Sequence, residues 1–561
     1  MRSRQTITSK GCEDPVQGDL NLMIKQLDAS PITYEQLQTE VKEIYSGILK
    51  LEAKCIEINN NLASQPRALY LRNEQWQALI HLHRTLLHEH YDFLLATQHP
   101  SSTTLRSQAV ELLMPDRILF YGVYPYLELL RHQLPDSLEH MLAFFNFAYS
   151  IMALLYETVP AFKDNWAMCL GDLSRYCMEV VVQDNVKELW GTTARSWYGK
   201  AADRQPTIGR LYFHIAISTT QNILQQLFFY SKSMTVDPPF LPARKFISSF
   251  LDTLVTNCQV DLPVDLSFVH LHGVWFTHKF DQFADKLDHY LTLLRKYIRV
   301  SGQDRIVQGC FIAVCNIAAL YEYNSGTSNL RQAWKKGTVR TTETKEEVTL
   351  PQIKNNNASL TKTKNKYNII PLPHEASSDP ASLTIPLGKP QVGNKSPVAV
   401  IEQKASDERS LQYAITMNFK ILELILELTE DELTDNSNVL PHVHIYMIFL
   451  LHLTKSIPAM RLIEQGFPIK PLVFLLNSLS KASTLRFETL DFPSLGHLLP
   501  EDWVLRGLEY TMNYFPDGWF EDAKMDDEER LLELTSFSAT RKQRILWLGY
   551  MIVQVSVLII Q

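Results

Sequence analysis

Cysteine is sparse and never paired. The seven cysteines, Cys12, Cys55, Cys169, Cys177, Cys258, Cys310 and Cys315, are scattered and form no C-x-x-C. That argues against a disulfide framework or a zinc site and reads as reduced thiols in an intracellular protein. Glycine is scarce as well, 20 of 561 residues, while Leu, Gln, Glu, Lys and His recur, so helices are favoured over sheets. There is no excess of positive charge. A formal net charge of −7 argues against a whole-protein attraction to nucleic acid, so any such binding needs a local patch. The N-terminal "MRSRQTITSKGCEDP" lacks an apolar core, so no secretory signal is expected. The P-loop, G-x-G-x-x-G, H-E-x-x-H and G-x-S-x-G are all missing. No catalytic residue, metal, cofactor or small-molecule substrate is therefore expected, and an enzyme is the least favoured class.

Long apolar runs are nearly missing too. The exception is the C-terminal "RILWLGYMIVQVSVLIIQ", with Arg541, Lys542 and Arg544 before its apolar run. The run from Ile545 to Ile560 is shorter than the roughly 20 residues a spanning helix needs. It also contains Gln554 and Ser556, so a buried helix is favoured over a tail anchor.

What is present is helical periodicity in a chain long enough for two or three domains. Residues 1–31 are polar and without period and are expected to be disordered. Leu37, Val41, Ile44, Ile48, Leu51 and Cys55 then lay one stripe on a long helix, and a second follows from Asn73 to Ala96. "DSLEHMLAFFNFAYSIMALLYETVP" is apolar nearly all round, the mark of a helix in the middle of a bundle. Residues 324–408 have few large apolar side chains and no period, and they read as a disordered insertion. Helical patterning on either side, 246–323 and 409–561, reads as one domain with that insertion looped out.

Between 160 and 245 a repeat signature appears. Ala194, Tyr198, Ala201 and Pro206 match the A-x3-F-x2-A-x4-P spacing of a tetratricopeptide second helix. Tyr212, Ile215 and Ala216 fall in register for the next hairpin, and Leu170-Gly171 resembles a first-helix Leu-Gly pair. Ala194 comes about eleven residues late for that period, so "QDNVKELWGTT" reads as an insertion.

Three clusters invite a functional reading. In "HLHRTLLHEHYDF", His81 and His88 are seven apart, as are His83 and His90, whereas a zinc pair on a helix needs three or four. An exposed polar face with helical ion pairs, such as His88 with Asp92, is favoured. The acidic "MDDEER" reads as a solvated face. Arg331, Lys335, Lys336 and Arg340, with Lys362, Lys364 and Lys366 beyond them, are candidate nucleic-acid contacts. Glu343, Glu346 and Glu347 interrupt them, and a solvated linker is favoured.

The sharpest question lies in "CLGDLSRYCMEV", residues 169–180. Leu170, Leu173, Cys177 and Val180 want a core, whereas Asp172, Arg175 and Tyr176 do not. Asp172 is three residues before Arg175, so the arginine reads either as a tied-off structural charge or as an anion receptor oriented by Asp172. An Arg fork beside a Tyr hydroxyl suits phosphate.

"GDLSRY" resembles the G-D-x-x-R-Y helix of 14-3-3 proteins, whose Arg and Tyr grip phosphoserine. In order along the chain, "LGDLSRY", "ARSWYGKAADRQPTIGRLYFHIAI", "FFYSKSMTVDPPFLPAR", "LPEDWVLRGL" and "RILWLGY" resemble the Est-one/SMG family of telomerase and nonsense-mediated-decay adaptors. The resemblance covers most of residues 34–550 and implies an all-α fold. Residues 32–245 would form a 14-3-3-like tetratricopeptide domain, and 246–323 with 409–561 a helical-hairpin DNA/RNA-binding domain. It implies phosphopeptide contacts at Arg175 and Tyr176, with Arg84 or His81 supplying a second basic position counted from Trp76. The family's nuclease member carries a further α/β domain for which no segment here is a match, so RNA cleavage is not expected.

The expected function is thus a non-enzymatic adaptor of the nucleus or cytoplasm. It would bind protein partners, phosphorylated decay or telomerase factors among them, in telomere maintenance or mRNA decay. The alternative is a protein that binds telomeric DNA or RNA through its basic segments without phosphopeptide recognition. A tail-anchored membrane protein is a further rival.

Overall fold

A computed structural model describes residues 33–63, 71–99, 103–256, 262–300, 306–326, 328–343, 397–429, 439–482, 491–493, 498–521, 530, 532–534 and 536–560. Every regular element among them is helical, apart from an isolated antiparallel bridge between Val236 and Leu508. The all-α class is as expected. The expected disorder of 1–31 lies outside the described residues. The chain forms two compact units, Met1–Leu129 and Leu130–Gln561.

The first unit begins with α1 (Tyr34–Ala63) and α2 (Asn73–Thr97), which pack together. Leu37, Val41, Ile48 and Cys55 bury the predicted stripe of α1. Short helices α3 (Thr103–Glu111) and α4 (Met114–Arg117) and a π-helical turn (Ile118–Val123) follow, leading into α5 (Tyr124–His132). Burial of Glu52 on α1 is compensated by an ion pair with Arg117 and by His90 Nε2 at 3.2 Å. The histidines of α2 therefore divide, because one flank of the helix faces inward. His81 and His88 are exposed, but His83 and His90 are buried. His83 stacks on Tyr126 at 4.6 Å and places Nδ1 2.8 Å from the Gly122 carbonyl oxygen. Its pKa is lowered by burial to about 4.

The second unit opens with α6 (Leu138–Thr158), α7 (Lys163–Val180), α8 (Asp184–Arg204), α9 (Gly209–Ser218) and α10 (Ile223–Thr235). The three residues between α7 and α8 leave room only for an antiparallel reversal, and among the described residues the two helices form the most extensive pairing. Gly171 makes this crossing close, since a Cβ there would lie 2.7 Å from the Tyr198 ring. The expected insertion "QDNVKELWGTT" is not one: Asp184 onward is the start of α8, so the hairpin's second helix is simply longer. A second hairpin, α9 with α10, follows, and Asn222 caps α10 by accepting from Gln225 N at 2.9 Å.

The chain continues through α11 (Ala243–Thr256), α12 (Val264–Phe276), α13 (Phe283–Val300), α14 (Ile306–Leu320), α15 (Asn329–Glu343) and α16 (Pro397–Leu428). After these come α17 (Leu440–Thr454), α18 (Ile457–Ile463), α19 (Ile469–Ala482), α20 (Pro500–Leu505) and α21 (Phe537–Ile560). The middle of the bundle is α14 and α17, which are buried nearly all round. It is not α6, whose Glu139, Ala143, Asn146, Ser150, Leu154 and Glu157 form an exposed strip. Among the described residues α6 is long and apolar enough to cross a membrane by length and composition alone. Its buried face, from Met141 to Leu155, packs with α7.

One apolar cluster runs from Ala167 to Leu548 and spans the expected 245/246 junction. Lys232 of α10 donates to the carbonyls of Val504 (2.8 Å) and Trp503 (3.4 Å), tying the hairpins to the C-terminal half. The expected insertion 324–408 is also narrower than its composition suggested. Residues 329–343 are helical, anchored where Trp334 stacks on His452 at 4.4 Å, and α16 begins at Pro397. Residues 344–396 lie outside the described set.

Arg541 and Arg544, expected only to precede an apolar tail, are fully buried. Arg541 donates to both oxygens of Glu501 (2.6 and 2.9 Å) and both of Glu533 (2.8 and 2.9 Å). Arg544 Nη1 reaches both oxygens of Asp502 at 2.7 Å. The Glu-Asp of "LPEDWVLRGL" thus clamps the last helix. Burial alone would raise the Glu501 pKa, but Arg541 and His444 override it and hold the carboxyl well below the usual range.

Candidate functional site

Leu170, Leu173 and Cys177 step by three and four, so α7 must turn one side to the core; packing on both α6 and α8 buries the other side too. Every residue from Trp166 to Met178 except Met168 is consequently buried, Asp172, Arg175 and Tyr176 included. The misfit charges have nowhere to go but into a network.

That network draws on α7, α8 and α9. Arg175 Nη1 donates to Glu179 Oε1 at 2.7 Å, one helical turn on. The Tyr198 hydroxyl donates to Asp172 Oδ1 at 2.5 Å, and Arg210 Nη2 stands 4.0 Å from Asp172 Oδ2. His214 stacks on Tyr198 at 5.1 Å and accepts from Arg210 Nε at 3.1 Å. Burial, reinforced by Arg210 and Arg175, pushes the His214 pKa far down, so it stays neutral. Burial also disfavours charge on Arg175, but Tyr198, Glu179 and Asp172 outweigh it and the guanidinium remains charged. Its Nε and Nη2 are buried and make no hydrogen bond of good geometry, although the Tyr198 hydroxyl interacts with the guanidinium. The Tyr176 ring lies 5.7 Å from the guanidinium carbon.

The structure therefore brings Arg175, Tyr176 and Asp172 together on α7. Asp172 contributes to the field around Arg175, while the hydrogen bond comes from Glu179. Glu179, Tyr198, Arg210 and His214 were missed as members of this cluster. Glu179 was legible as an i,i+4 ion pair. Tyr198 had registered as a repeat position, and Arg210 and His214 join through the second hairpin. His81 and Arg84 lie on the exposed flank of α2, in the first unit. Cys177 is buried beside the cluster, and burial pushes its thiol up to about 11, which makes it unreactive.

The basic candidates fare differently from expectation. Arg331 is not a free basic contact: it pairs with Glu509 at 3.0 Å and donates to Asn324 Oδ1, because α15 packs where a linker was expected. Lys335 and Lys336 are exposed on α15, Arg340 lies in its last turns, and Lys362, Lys364 and Lys366 fall outside the described residues. Arg530 of "MDDEER" pairs with Asp203 at 2.7 Å. Among the described residues no group of His, Cys, Asp and Glu could hold a metal ion.

No protein-family model matches this chain, and no curated protein matches it.

Proposed function

We propose that the chain is a non-enzymatic adaptor of the Est-one/SMG kind. It docks protein partners through the α7–α10 hairpins and receives a phosphoserine at Arg175 and Tyr176. The observation that carries this reading is the Arg175 guanidinium, charged and buried beside the Tyr198 hydroxyl, with Nε and Nη2 making no hydrogen bond of good geometry. Such a group costs free energy unless something completes its shell. Phosphate, with several acceptor oxygens, matches the fork. The wider role, in telomere maintenance or nonsense-mediated mRNA decay, rests on the resemblance of "LGDLSRY" and the segments that follow it.

The test is binding of phosphoserine peptides to the full chain and to Arg175→Ala, with unphosphorylated peptides as controls. Phosphate-dependent binding that Arg175→Ala abolishes is expected. Equal binding by both proteins, or none by either, overturns the reading. The alternative, nucleic-acid binding through Arg331, Lys335, Lys336 and Arg340, is weakened by the engagement of Arg331 with Glu509. Single-strand binding that weakens steeply with salt and disappears on deletion of 331–366 would favour it.

A further inference from the structure

Arg175 and Glu179 are unequally exposed. The Arg175 side chain is 4% accessible, whereas that of Glu179 is 23% accessible. The glutamate therefore stands on the solvent side of the pair, in the last turn of α7, with Oε1 on Arg175 Nη1 at 2.7 Å. Formal charges in the cluster balance: Arg175 and Arg210 are set against Asp172 and Glu179, and His214 is neutral. Asp172 is fully buried and held by the Tyr198 hydroxyl, so it cannot yield. Glu179 is the partly exposed member of the pair, and displacing its carboxylate from Arg175 leaves one net positive charge on the cluster.

We infer that Glu179 is an internal competitor that sets the specificity of this site for phosphate over carboxylate. The inference rests on the reading of Arg175 as a phosphate receptor. A ligand must displace a carboxylate that is already tethered to the same helix and so present at a high effective concentration. An incoming Asp or Glu offers the same chemistry as the group it must displace, without the tether, and loses. A phosphoserine offers three acceptor oxygens and nearly two negative charges, enough to take Nη1 from Glu179 and to engage Nε and Nη2 as well.

The experiment compares a phosphoserine peptide with its Ser→Glu counterpart on the full chain, on Glu179→Gln and on Glu179→Gln/Arg175→Ala. Glutamine keeps the shape of a partly exposed side chain, so folding is preserved, and circular dichroism checks it. The wild type is expected to bind the phosphopeptide and not the Glu peptide. Glu179→Gln should raise phosphopeptide affinity roughly fivefold, the upper size of a partly exposed helical ion pair. It should also bring measurable binding of the Glu peptide. Both gains should vanish in the double variant. Unchanged or lower affinity in Glu179→Gln, or no gain for the Glu peptide, overturns the inference and leaves Arg175 standing as a receptor. Phosphopeptide affinity that is indifferent to Arg175→Ala overturns the receptor reading itself.

Discussion

Replacing Arg541 by Met is the most demanding test of how the second unit is held together. The Arg541 guanidinium is fully buried and serves two carboxylates, Glu501 and Glu533, with four hydrogen bonds of 2.6 to 2.9 Å. Methionine keeps much of the volume but none of the charge, so Glu501 is left buried with His444 as its remaining neighbour at 2.9 Å. Removing one partner of a buried pair costs about 3–5 kcal/mol, because the other charge is left uncompensated. At about 2 °C per kcal/mol, the lower end for large domains, the melting temperature should fall by roughly 6–10 °C. Thermal and urea unfolding followed by circular dichroism measure this directly. Adding Glu501→Gln removes the stranded charge, so the double variant should be less damaged than the sum of the singles by at least about 1 kcal/mol. The pH dependence has a definite sign. The Glu501 pKa is depressed in the folded state, so its contribution is present above about pH 4.3 and drains away as the pH falls below that. An Arg541→Met cost below about 1 kcal/mol, or strictly additive variants, would refute the clamp.

Two further outcomes follow from the same packing. Gly171→Ala gains about 1 kcal/mol of helix propensity but drives a Cβ to 2.7 Å from the Tyr198 ring, which its bond to Asp172 keeps from yielding. Overpacking costs about 1–3 kcal/mol, so a net loss of stability is expected, and a stabilised variant would show that the ring gives way. The buried imidazoles of His83 and His442 have pKa values lowered to about 4, and those of His272 and His452 to about 3, chiefly by burial. The unfolded chain takes up protons on them below about pH 6.5 and the folded chain does not, so stability should fall as the pH drops from there towards 4. His83→Asn should flatten that slope in urea titrations, and an unaltered slope would contradict the burial of His83 as a neutral base.

Helices were legible wherever a single face carried the pattern. The stripe Leu37–Val41–Ile48–Cys55 and the small-residue crossing at Gly171 and Tyr198 announced α1 and the α7/α8 hairpin, because periodicity and local sterics act over a few residues. "MLAFFNFAYSIMALL" misled as to the bundle's centre, since hydropathy does not tell which apolar face finds a partner. α15 was invisible in a polar stretch because its stability comes from contacts such as Trp334 on His452.

The chemistry of CLGDLSRYCMEV divides the same way. Sequence alone determined that Arg175 sits in an apolar helix, and that Asp172 and Glu179 lie one turn to either side, because helical spacing is a property of the backbone. Tertiary structure alone decided that Tyr198 claims Asp172, and that Glu501 and Asp502 reach 40 and 42 residues along the chain to bury Arg541 and Arg544. Coulomb forces and desolvation act through space, and only the closing of α7 against α8 and of α20 against α21 sets those distances.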